Sequence, residues 1–222
     1  MQKSTNILDR VFLSLLLLLP LTAWLSTHNN LMDYLSHETP PGQVLYVLSK
    51  LFGLYALLTV WLHIAWALLG KTPLAGILPQ WSATRHRNMA FVSLALMTLH
   101  AGLFIAAVSS RKGGMAWELL LPVFDHGHYR LMLSLGIIGL WLLPLIAMAG
   151  TALVRNATSR KLRWLHHLAI PFLVLVYIHG LYIGSETKYG FTFVVYVVMG
   201  STLPCFLALR VYYRNKTRNR FT

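Results

Sequence analysis

Apolar positions in this chain gather into long runs parted by short polar stretches. The runs occur six times, at residues 11–26, 44–70, 89–108, 131–154, 165–183 and 191–211. An α-helix needs roughly 20 mostly apolar residues to cross the hydrocarbon core of a bilayer. The pattern therefore predicts an all-α integral membrane protein with six transmembrane helices. The first run has a second reading. Lys3 and Arg10 precede VFLSLLLLLPLTAWL as the basic and apolar regions of a secretory signal would. The THNNLMDY that follows offers no small-x-small cleavage site, which favours a retained helix.

The polar stretches set an orientation. Lys3 and Arg10 precede the first run, Lys71, Arg85 and Arg87 separate the second and third, and Arg155, Arg160, Lys161 and Arg163 separate the fourth and fifth. Arg210, Arg214, Lys216, Arg218 and Arg220 close or follow the last. The alternate loops hold Arg111, Lys112, Arg130 and Lys188 together with Asp33, Glu38, Glu118, Asp125 and Glu186. Basic loops stay in the cytoplasm, so both termini are expected inside. The longest polar stretches, near residues 27–43 and 109–129, then become outer loops.

Composition agrees. AVILMFWYC residues make up 56% of the 222 residues and DEKR only 11%, against about 25% charged residues in a typical soluble domain. The formal charge of +13 is explained by topogenic cations; the basic tail VYYRNKTRNR is read as a headgroup contact, and no nucleic-acid partner is expected. The lone Cys205 excludes an internal disulfide. No dinucleotide or P-loop motif is present. Residues 1–222 read as a single membrane domain without a soluble flavin or nucleotide domain, expected in a bacterial inner membrane.

Ten histidines carry the candidate chemistry. His28, His37, His126 and His128 fall in the outer loops; Asp125, His126 and His128 make a weak metal motif that lacks a third firm ligand. His63, His86, His100, His166, His167 and His179 lie in or at the apolar runs. His100 and His179 sit mid-helix with no acid nearby in sequence, and a buried imidazole with an unsatisfied nitrogen costs a few kcal/mol. Metal coordination by one ring nitrogen, with the other bonded to a carbonyl, removes that cost.

Spacing gives these residues a pattern. His86 and His100 are fourteen residues apart at the start and middle of the third run, and His166 and His179 thirteen apart at the start and middle of the fifth. At 1.5 Å per residue each pair spans roughly 20 Å. Two levels result, each with imidazoles from two helices, as two stacked bis-histidine hemes require, and bundle cores are where such cofactors sit. Rotation is less regular. Fourteen residues at about 100° each return to within about 40° of the starting face, whereas thirteen miss by about 140°. Pro171 lies between His166 and His179 and can shift the phase. His167 competes with His166 for the inner position. Gly53, Gly136 and Gly139 fall at the depth of the outer histidines, where a missing side chain would admit a flat macrocycle or simply another helix. Arg85, Arg87 and Arg163 flank the inner level as partners for propionates. Phe172 is expected between the two macrocycles.

RHRNMAFVSLALMTLH resembles the third-helix signature of the ferric reductase-like transmembrane domain, and WLHHLAIPFLVLVYIHG its fifth-helix signature. That superfamily includes ferric-chelate reductases, the membrane part of NADPH oxidases and the heme subunit of a periplasmic methionine sulfoxide reductase system. The resemblance implies a heme-binding core built from the second to fifth spans. It assigns His100 and His179 to an outer heme b and His86 and His166 to an inner one; its thirteen-residue spacing ranks His166 over His167. Ala90 departs from the glycine common four residues after the inner third-helix ligand, and stand-alone heme subunits often carry arginine where His86 stands.

The expected function is transmembrane electron transfer by the heme subunit of an oxidoreductase. A cytoplasmic flavoprotein reductase or membrane quinol would be the donor, and an outer-face protein or chelated Fe(III) the acceptor. A rival has a single outer heme reduced by quinol, with His63 as a quinone contact or substitute ligand. A histidine proton-relay transporter is disfavoured because the helices carry no acid.

Overall fold

A computed structural model describes residues 7–27, 34, 39–70, 72–76, 82–124, 127–155, 158–185 and 187–218. Among the described residues the secondary structure is helical. The helices are α1 (Ile7–Leu25), α2 (Gln43–Leu69), α3 (Ala83–Lys112), α4 (Gly127–Arg155), α5 (Arg160–His167), α6 (Ala169–Ile183) and α7 (Gly190–Arg218), with short 3-10 turns at Pro73–Gly76 and Trp117–Leu120. Five segments are long and apolar enough to cross a membrane: α2, α3, most of α4, α5 with α6, and most of α7. In α1 the qualifying apolar stretch, Ser14–Leu25, is shorter. The expectations on His28, His37, Asp125 and His126 lie outside the described residues, as do those on Lys3, Asp33, Glu38, Lys71, Glu186 and Arg220.

Two antiparallel pairs make the core. In one, Thr59 of α2 meets Ser93 of α3 through hydroxyls 3.0 Å apart, with Gly53 opposite His100 toward one end and His63 opposite His86 toward the other. In the other, α4 lies along α5 and α6 with Gly136 opposite His179, Gly139 opposite Val176, and Gly150 opposite His166. Contacts of α3 with α4 and of α2 with α6 close the four spans into a ring. The spans bearing the paired histidines thus face each other across its diagonal. Phe172, 1% exposed, sits in the apolar core with Leu57, Met97, Leu143 and Leu173.

The fifth apolar run is two helices rather than one. α5 stops at His167 and α6 starts at Ala169, and the Leu168 N–H reaches back three residues to the Leu165 carbonyl at 3.1 Å. Pro171 supplies the cause: it has no N–H for the His167 carbonyl, and its ring clashes with that carbonyl. A single tighter turn results, and it changes the rotation between His166 and His179.

α1 and α7 pack on the outside of this ring against α2. Trp24, 6% exposed, donates its indole N–H to the Val47 carbonyl at 3.0 Å. The Tyr55 hydroxyl donates to the Leu17 carbonyl, and the Thr192 hydroxyl to that of Ala23 at 3.3 Å. Trp61 donates to the Met199 carbonyl at 2.9 Å, joining α2 to α7. Gly42, at φ 74°, opens α2 where a Cβ would stand 2.6 Å from the Ala107 carbonyl oxygen, so the entry turn requires glycine. Truncating Trp24 to Ala removes both a buried ring and the α1–α2 hydrogen bond. The expected loss is about 3 kcal/mol, read as a lower thermal midpoint of the purified protein in detergent.

Candidate functional site

The spacing of the histidines brings four of them into two cross-bundle pairs. The His100 and His179 rings have centroids 6.3 Å apart, and the His86 and His166 rings 5.9 Å, both with planes inclined at 77°. Each pair could hold one metal-centred group between its two rings.

Three of the four rings are oriented by a backbone carbonyl of an adjacent span. Nδ1 of His100 lies 2.7 Å from the Ser49 carbonyl oxygen, Nδ1 of His179 2.8 Å from that of Met132, and Nδ1 of His166 3.3 Å from that of Ile146. A carbonyl can only accept, so Nδ1 carries the hydrogen and the lone pair resides on Nε2, the tautomer suited to metal ligation.

Glycine makes these seats possible. The carbonyls belong to residues 49, 132 and 146, and four residues after each stands Gly53, Gly136 or Gly150. A helical side chain covers the turn N-terminal to its own Cα, so a missing side chain at the fourth position uncovers the carbonyl. A Cβ on Gly53 would lie 2.9 Å from His100 Nδ1, one on Gly136 2.5 Å from the His179 ring, and one on Gly150 3.2 Å from the His166 ring. Gly53 and Gly136 therefore admit the imidazoles themselves, while Gly139 admits Val176. Gly150 was not singled out by its sequence context, although its fourteen-residue distance from Gly136 repeats the histidine interval.

A cavity of about 160 Å³ adjoins the outer pair. Leu54, Leu57, Leu140 and Phe172 contribute to apolar walls, with His100 and His179 lining it and Tyr46, Lys50 and Thr187 adding polar groups. Lys50 went unnoticed because it lies inside an apolar run. It stands one turn from Gly53 on α2, with its ammonium 4.6 Å from the Tyr46 ring centre and 2.7 Å from the Ser185 hydroxyl. Arg111 also faces the Tyr46 ring, at 5.2 Å.

The inner level differs. His63 packs edge-on against His86 with centroids 4.7 Å apart, and its Nε2 lies 2.8 Å from the His86 carbonyl oxygen. Four residues after that carbonyl stands Ala90, not glycine. His166 is half-buried and faces His86, whereas its neighbour His167 is exposed. Arg85, Arg87 and Arg163 are exposed at this end, and the Arg163 guanidinium donates to the Thr158 carbonyl at 3.1 Å. His128 lies apart from both levels, against Tyr182. Among the described residues no three His, Cys, Asp or Glu side chains converge on a common point.

No family model matches the chain, and neither does any curated protein or solved structure.

The glycine seats are testable by contrast. Gly102 on α3 is exposed and a Cβ there meets nothing within 4 Å, so Gly102→Ala should stabilise by about 0.5–1 kcal/mol through helix propensity. Gly136→Ala should lower the thermal midpoint instead, because the His179 ring has to leave the Met132 carbonyl.

Proposed function

We propose that this chain is a b-type cytochrome of six transmembrane spans with both termini in the cytoplasm. In this reading His100 and His179 hold an outer heme, and His86 and His166 an inner one. Electrons pass from a cytoplasmic flavoprotein or membrane quinol to an acceptor protein or chelated Fe(III) on the outer face. The chain is then the electron-transfer subunit of an oxidoreductase in a bacterial inner membrane, akin to the ferric reductase-like superfamily. One observation carries the reading: two imidazole pairs with ring centres 5.9 and 6.3 Å apart, on diagonal spans and at two levels of the bundle.

The residues present fit the group. Carbonyl-bonded Nδ1 atoms fix the ring tautomer and raise the basicity of Nε2. The apolar walls exclude water, and a low-dielectric surround with bis-imidazole ligation sets the potential of a b-type center. Heme, when bound, supplies one-electron redox chemistry. With both of its protein ligands supplied by histidines, such a group would serve electron transfer rather than substrate binding. Phe172 is buried six residues from His166 and seven from His179, in keeping with a place between the macrocycles. Lys50 brings positive charge to the outer cavity, where the heme carboxylates need a partner.

A specific observation favours the single-heme variant as a second reading. The cavity adjoins the outer pair, and His63 occupies one side of His86 at the inner level. That arrangement suits one outer heme with quinol as donor.

Heme quantification by pyridine hemochrome distinguishes them, with two hemes per folded chain expected for the first reading and one for the second. A preparation with no b-type band after dithionite reduction would defeat both. His100→Ala and His179→Ala should each remove the same heme, and the double variant should lose no more of it. A full low-spin spectrum in either single variant would overturn the ligand assignment. Lys50→Met should weaken heme retention without abolishing the low-spin spectrum, whereas unchanged retention would remove Lys50 from the site.

A further inference from the structure

The connection between α3 and α4 was expected to be a polar outer loop, but the stretch GMAWELLLPVF (residues 114–124) within it, before Asp125 and His126, holds one charged residue, Glu118. This part folds back along α4. The Ser134 hydroxyl accepts from the Val123 N–H at 2.8 Å and donates to the Val123 carbonyl at 2.7 Å. The Trp141 indole donates to the Leu120 carbonyl at 3.0 Å. Ser134 and Trp141 are seven and fourteen residues along α4 from Gly127, about 10 and 21 Å at 1.5 Å per residue. Gly136, the seat of His179, lies between them. The 29 residues of α4 span about 43 Å against a hydrocarbon core of about 30 Å. With both ends protruding equally, residues 120–123 would lie below the headgroups.

Irregular backbone survives at that depth where its polar groups find internal partners. Several of this segment's groups have them. Ala116, fully buried, gives its N–H to the Ser109 hydroxyl at 3.0 Å, and the Leu119 and Leu121 N–H groups bond to the Ala116 and Glu118 carbonyls. Glu118 turns back to Lys112 at the end of α3 and is paired there. The outward side is apolar, with Met115 54%, Trp117 62%, Leu121 65% and Phe124 62% exposed. On the inward side Leu119 lines the outer cavity.

We infer that residues 113–124 re-enter the bilayer leaflet at this end of the bundle. Their apolar side lies against acyl chains, and Leu119 closes the outer cavity laterally against lipid. The occupant of the exposed surface is lipid rather than a soluble partner, because residues 120 and 123 are bonded along the side of α4, an apolar span, and Glu118 is directed to the helix end. The inference stands on this hydrogen bonding and depth, and does not require a heme.

The test uses the full chain in liposomes. The single native cysteine is replaced by Cys205→Ser, and nitroxide labels are attached to Leu121→Cys or Phe124→Cys. Met148→Cys, 59% exposed on α4, serves as the lipid-facing control, and Tyr189→Cys, 80% exposed before α7, as the aqueous control. Power saturation with oxygen and with a water-soluble nickel chelate reads the surroundings of each label. Labels at 121 and 124 should be oxygen-accessible and nickel-protected to the degree of the label at 148. Nickel accessibility matching that at 189 would overturn the inference and mark the surface as a water-exposed face for a protein partner.

Discussion

The imidazole N–H seated on a helix carbonyl is the contact on which the arrangement of the core depends. In a bilayer the helices gain nothing from burying apolar side chains against one another rather than against lipid, so packing and polar contacts specify their pairing. His100 on the Ser49 carbonyl and His179 on the Met132 carbonyl each join two spans at one defined height and rotation. Each seat demands glycine four residues later on the carbonyl's helix. A ring, a carbonyl and a missing side chain thus form a single three-part device, repeated with Ile146 and Gly150 at His166.

Smaller polar contacts support the same registers. Thr59 and Ser93 are both buried and meet between the two histidine levels, where α2 and α3 would otherwise be free to slide. The Tyr177 hydroxyl donates to the Tyr196 carbonyl at 2.7 Å and ties α6 to α7. Interhelical hydrogen bonds of this kind contribute on the order of 0.6 kcal/mol each. Their weight comes from number and from direction, since a displaced hydroxyl inside a bilayer has few alternatives.

Pro171 connects local chain chemistry to the site. Without the turn at Leu168, thirteen ideal helical residues would leave His166 and His179 about 140° apart in phase. With it, both rings reach partners on α3. At this break His167 is exposed, while His166 faces His86.

Hydropathy and a constant rise per residue are properties of one segment at a time. They predicted six spans, of which five are helices long and apolar enough to cross a membrane, and they matched the histidines that the fold brings together in pairs. The position of Pro171 even located the irregular helix, because a missing N–H acts within one turn. Rotation about each helix axis, and the choice of neighbour, depend on all the spans packing at once. For that reason only the tertiary structure showed that Gly53 and Gly136 admit imidazoles, that Gly150 does likewise, and that Lys50 lines the outer cavity. The 113–124 segment is the clearest case. Its length and its setting between two spans read as an aqueous loop, and its placement was decided by Ser134 and Trp141, whose hydrogen-bonding groups become partners only once α4 stands beside it.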